Sequence, residues 1–144
     1  MRNVLIFISL FFLNTIFSQN TPVLTNVNNG KLYHNENGEK IFLATEVDVK
    51  AEYKGGINGL AKEVGKKFNV PDFNDKKIHK IYLSFIVETD GSISDIIGIT
   101  ADEEKLITEG IRVFKLLPNK WIPAQKDGKS VRMQYVFPIS LSSS

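Results

Sequence analysis

The chain has 144 residues, enough for one domain, and its 42% hydrophobic and 24% charged content is that of a soluble globular protein. Net charge is +2, with Lys and Arg scattered among Asp and Glu, so no basic stripe marks a nucleic-acid partner. There is no cysteine, which excludes disulfides, thiolate metal sites, thiol catalysis and a lipid-bearing cysteine.

Residues 1–18 read as a secretory signal peptide. Arg2 supplies the positive start, Val4 to Phe17 the apolar run, and Ser18 the small residue before a cut at Gln19. The rival reading is an uncleaved inner-membrane anchor. The run is 14 residues long and is interrupted by Asn14 and Thr15. A spanning helix needs about 20 apolar residues. Residues 19–50 read as a flexible leader. "QNTPVLTNVNNG" is rich in Asn and Thr, and Asn37-Gly38 in the next stretch is a hairpin turn signal.

The domain is expected over residues 51–144. In "INGLAKEVGKKF" the residues Ile57, Leu60, Ala61, Val64 and Phe68 share one helical face, with Lys62, Glu63, Lys66 and Lys67 opposite. Pro71 stops that helix. Next, Ile81, Leu83, Phe85 and Val87 alternate with polar residues as in a half-buried strand, and Asp90-Gly91 turns it back. The return strand carries Ile93, Ile97 and Ile99, and Asp95 breaks its alternation. A bulge near Ser94 to Ile96 would explain the slip.

"TADEEKLITEGIRVFKLLP" is an amphipathic helix. Thr100 and Glu103 have capping-box spacing, and Asp102, Glu103 and Glu104 suit the positive end of its dipole. Leu106, Ile107, Gly110, Ile111, Phe114 and Leu117 form its apolar stripe, and Pro118 ends it. In the last strand Val131, Met133, Tyr135, Phe137, Ile139 and Leu141 share one face, with Arg132, Gln134, Val136, Pro138 and Ser140 on the other. Proline within a sheet is confined to edges, strand starts or bulges. Pro138 therefore places this strand at an edge, and its missing N–H would cost the inner ladder nothing if it faces outward. The order helix, strand, strand, helix, strand predicts a two-layer α+β domain with a three-stranded sheet in the order 2-1-3.

Ala51 to Leu141 resembles the TonB C-terminal domain family in its short exported form. The resemblance is carried by "EYKGGINGLAKEV", "YLSFIVETDGSISDI", "ITEGIRVFKLLPNKWIPAQKDGKSV" and "RMQYVFPISL". The chain departs from the family at Val70-Pro71, where a Tyr-Pro pair is usual, and at His79, where a Gly is usual. It also lacks a long Pro-rich spacer. The resemblance implies a periplasmic binding module that captures a short segment of an outer-membrane TonB-dependent receptor, or of a similar envelope protein, by strand addition. Energy transduction is not carried over. The implied contact strand is Val131, Arg132, Met133, Gln134, Tyr135, Val136 and Phe137. The alternative is a self-associating structural domain whose partner is a second copy.

The remaining residues read as structural. Trp121 is expected in the core, since an aromatic buries so much area, and Pro123 is expected to fix the turn after it. His34 and His79 lack a partner at metal-ligand spacing, His79 is read on the polar parity at a strand start, and both are expected to be solvated. Asp102, Glu103 and Glu104 are explained by the helix start, and Lys62, Lys66 and Lys67 by a solvated face. No phosphate loop, nucleophile elbow or zinc signature occurs. The expectation is therefore no enzyme, no cofactor, no metal and no small-molecule substrate.

Overall fold

A computed structural model of the chain describes residues 6–7, 39–73 and 77–142. The rest of the expected signal peptide, the leader up to residue 38 with its Asn37-Gly38 turn, and His34 lie outside those residues. The described chain mixes helices and strands. In order they are β1 (Ile6–Phe7), β2 (Glu52–Tyr53), α1 (Gly56–Lys67), β3 (Ile78–Val87), β4 (Ile93–Ala101), α2 (Glu104–Lys115), β5 (Trp121–Ile122), β6 (Ala124–Lys126), β7 (Lys129–Val131) and β8 (Met133–Ser142). The main sheet runs β1-β8-β3-β4, and every pairing in it is antiparallel. Two small sheets, β2-β5 and β6-β7, flank it.

One core holds the domain. Ile81, Leu83, Phe85 and Val87 of β3 meet Met133, Phe137, Ile139 and Leu141 of β8, under Leu60 and Val64 of α1 and Leu106, Val113 and Phe114 of α2. These are the odd positions of both strands, as the pleat requires. In α2 the buried set includes Val113, which the expected stripe omitted. Close approach decides two glycines. A Cβ on Gly98 would lie 2.2 Å from Cγ2 of Ile107, so α2 rests directly on β4 there. Gly91 has φ +83, and a Cβ on it would lie 2.5 Å from the Trp121 carbonyl oxygen. It closes a three-residue loop in which Glu88 N–H donates to Ser92 O at 2.9 Å and Gly91 N–H to Glu88 O at 3.1 Å.

The β3–β4 register slips between Ser84 and Ile86, and Asp95 there takes φ 48. This is the expected bulge. Its consequence differs from the expectation: the extra residue turns Ile96, rather than Ile97, onto the core. A second slip between Tyr82 and Leu83 had no signal in the alternation. The capping box is also corrected. Thr100 belongs to β4, and Glu103 is the N-cap of α2 with no side-chain cap bond. Asp102 instead accepts from the Lys80 N–H at 2.8 Å and ties the start of β3 to the end of β4.

His79 is corrected too. It is 6% exposed, and its ring stacks on Phe73 at 3.7 Å between centroids. Its Nδ1 lies 4.0 Å from a Glu103 carboxylate oxygen. His79 shares the odd, inward parity of Ile81, and parity outweighs residue type here. An ion pair within α2 clips it to the end of α1: Arg112 donates to Glu109 and also to the Lys67 carbonyl, each at 2.6 Å, while Asn69 N–H donates to Glu109 at 2.7 Å.

Candidate binding edge

The expected contact strand is two pieces. Val131 belongs to β7 and pairs with Ala124 across the Asp127-Gly128 turn. Positive φ at Asp127 and Gly128 (50 and 74) gives the tight reversal. Asp48 anchors this hairpin by accepting from Asp127 N–H at 2.7 Å, which holds the Asp48 carboxyl below its ordinary value. Arg132 is the joint, and β8 starts at Met133.

β8 pairs with β3 over ten consecutive residues, from Val87↔Met133 to Ile78↔Ser142. Its outer side can be read from one neighbour. Phe42 forms a parallel bridge to Met133, with Phe42 N–H donating to Arg132 O and Gln134 N–H donating to Phe42 O, both at 2.9 Å. Gln134 therefore turns its backbone groups away from β3. By alternation so do Val136, Pro138, Ser140 and Ser142. The N–H that proline lacks would have faced outward, and the β3 ladder loses nothing to Pro138.

The edge is not open along its length, and this corrects the expected free last strand. Its start is held by Phe42. Its end is held by β1, with Ile6 opposite Leu141 and Phe7 opposite Ser140. Among the described residues the stretch around Val136 to Pro138, and Ser142 at the strand end, have no outer neighbour.

The side chains of the expected contact set divide sharply. Met133 and Phe137 are core. Tyr135 is half-buried, stacked on Phe85 at 5.4 Å and edge-on to Trp121 at 5.0 Å, and burial raises the pKa of its hydroxyl. Gln134 is only 7% exposed, on the opposite sheet face, where its amide donates to Ser84 Oγ at 2.8 Å. Only Val136 is well exposed, at 45%. Pro138 and Tyr82 lie opposite each other beside it, both exposed.

Arg132 is not a free contact residue. Its Nε and Nη2 donate to Glu88 at 2.7 and 2.9 Å. Those bonds hold the Glu88 carboxyl below its ordinary value against the effect of burial, with the Ser94 hydroxyl adding a further bond. Glu88 in turn raises the Arg132 pKa. The pair fixes the joint between β7 and β8 to the end of β3. No sequence signal pointed to Glu88, because its partner lies 44 positions away.

Trp121 is 6% exposed and packs against Tyr53 at 5.4 Å and Phe85 at 5.3 Å as well as Tyr135. Pro123 is half-buried between β5 and β6. Lys62 and Lys66 are exposed on α1. Among the described residues no group of three or more His, Cys, Asp and Glu converges as a metal site, and no helix is long and apolar enough to cross a membrane. No family model matches the chain, and comparison with curated proteins finds no match.

Proposed function

We propose that this chain is a non-enzymatic periplasmic binding module of the TonB C-terminal type. It would be exported by a signal peptide cut after Ser18, and it would take an extended segment of an envelope protein, such as an outer-membrane TonB-dependent receptor, onto β8. The observation that supports this most directly is the outer edge of β8. Pro138 turns its missing donor outward, and the chain itself lays backbone against that edge at Phe42 and at Ile6–Phe7. In strand addition, backbone bonds give affinity and neighbouring side chains give selectivity. The matching fold reading is a two-layer helix–strand–strand–helix–strand domain in the order 2-1-3. It is supported by β3 lying between β4 and β8 and by one core shared with both helices.

The test is titration of the chain with candidate receptor segments, followed by amide NMR. Shifts at Val136 and along β8 are expected. Val136→Pro removes the outward donor that lies between the two held stretches of the edge and should weaken binding while the fold persists. Gln134→Pro is unsuitable, because that N–H already holds Phe42. Shifts confined to Lys62–Lys67 would overturn the reading. A second reading, self-association through the same edge, is favoured by the apolar exposure of Tyr82 and Val136 beside it. Sedimentation velocity separates the two.

A further inference from the structure

The two in-chain neighbours of β8 leave different kinds of site. Phe42 takes Arg132 O and the Gln134 N–H, so the beginning of β8 is closed by a segment continuous with the folded domain. The end is closed by β1, a two-residue strand from the apolar run at the N-terminus. Between them Pro138 interrupts the row of donors. Val136 N–H is therefore an isolated donor, and Ser140 and Ser142 form a separate station beyond the proline.

The register gives the direction and the bonding. Ile6↔Leu141 and Phe7↔Ser140 run antiparallel. Ser140 is an outward residue, so Phe7↔Ser140 is the hydrogen-bonded pair, in which each N–H donates to the other's carbonyl. Ile6 turns its N–H the other way. Two steps further, the same register reaches Pro138, which has no N–H to give. A strand seated antiparallel on this edge therefore bonds best at Ser140–Ser142 and loses a bond at Pro138. The expected contact along Val131 to Phe137 is displaced toward the end of β8.

We infer that in the full chain this station is capped by the chain's own N-terminal apolar segment, and that an incoming strand gains it only by displacing that segment. The inference rests on the strand-capture reading and refines it. The captured segment is extended, antiparallel to β8, and rich in β-branched and aromatic residues, like the Ile6–Phe7 pair that occupies the edge here. Removal of the N-terminal segment, by the cleavage proposed above or by its partition into a lipid bilayer, uncaps the station. Capped chain would then have a lower apparent affinity, reduced by the fraction of time the edge is free.

The experiment uses the full chain, made by cell-free synthesis so that residues 1–18 are retained, with two proline variants. Phe7→Pro removes the donor that bonds Ser140. Ile6→Pro removes one that points away and serves as the matched control. In wild type and Ile6→Pro, the Ser140 amide should exchange with solvent far more slowly than that of Val136. In Phe7→Pro the two should become similar. A synthetic peptide of residues 3–8 is the probe. It should bind Phe7→Pro about tenfold more tightly than wild type if the cap is closed nine-tenths of the time. Fast Ser140 exchange in wild type overturns the cap. Equal peptide affinity at the edge in all three chains also overturns it, while leaving strand capture intact. A protected Ser140 released by Phe7→Pro, with no receptor segment binding any chain, upholds the cap and overturns strand capture.

Discussion

Trp121 offers the sharpest test of the packing. Truncation of a large buried aromatic to alanine costs roughly 3–5 kcal/mol. Here the indole touches three rings, Tyr53, Phe85 and Tyr135, at 5.4, 5.3 and 5.0 Å. Each such pair adds about 0.5–1.5 kcal/mol beyond the area term, which puts Trp121→Ala in the upper half of that range. Phenylalanine should behave differently. The indole Nε1 is buried without a hydrogen-bond partner among the described residues, and an unmet buried donor costs about 1–3 kcal/mol. Trp121→Phe removes that donor together with part of the ring, so its net loss should stay under about 2 kcal/mol. Trp121 is the only tryptophan, so far-UV circular dichroism rather than fluorescence must follow the urea transition. With a slope near 1.5 kcal/mol/M, the alanine variant should move the midpoint down by about 3 M and the phenylalanine variant by roughly 1 M. An alanine loss under about 1 kcal/mol would put Trp121 on the surface. Equal losses for both variants would mean that the indole N–H is satisfied.

Gly98→Ala should cost about 1–3 kcal/mol through collision with Ile107, and Ile107→Ala in the same chain should recover part of it; strict additivity in urea unfolding would remove the collision as the cause. Glu88 is held below its ordinary value of 4.5 by Arg132, so its contribution is present above that value and lost as pH falls through the lower folded value. Glu88→Gln should therefore lower stability at neutral pH and flatten the acid decline measured by thermal melts from pH 7 to 2; an unchanged decline would mean that the pair is inert. Arg112→Met should accelerate hydrogen exchange at the Asn69 amide, whose acceptor Glu109 it positions; unchanged exchange would mean that Glu109 holds its place alone.

The helices, the β3–β4 hairpin and the alternation of β8 are legible because each is local. Periods of 3.6 and 2 survive in a single sequence. The break at Arg132 is invisible for the same reason: Val131 continues the parity of Met133 although the two pair with different strands. Occupation of the β8 edge joins residues about 135 positions apart, and no periodicity records it. The Gln134–Ser84 and Arg132–Glu88 pairings are equally remote, so polar residues that looked solvated are buried. His79 was legible from its own strand: it is odd-numbered like Ile81, so it belongs to the inward set rather than to the polar parity at the strand start where it was expected.

The ten-pair ladder between β3 and β8 also has a mechanical consequence. A strand captured on the outer edge, as proposed, would lie along β8, and tension on it would act parallel to the strands. The ladder bonds, which run across the strands, then bear the load together in shear. A pull perpendicular to the sheet edge would open them one at a time. The same geometry makes the β3–β8 ladder resistant to lengthwise tension and easy to peel from one end.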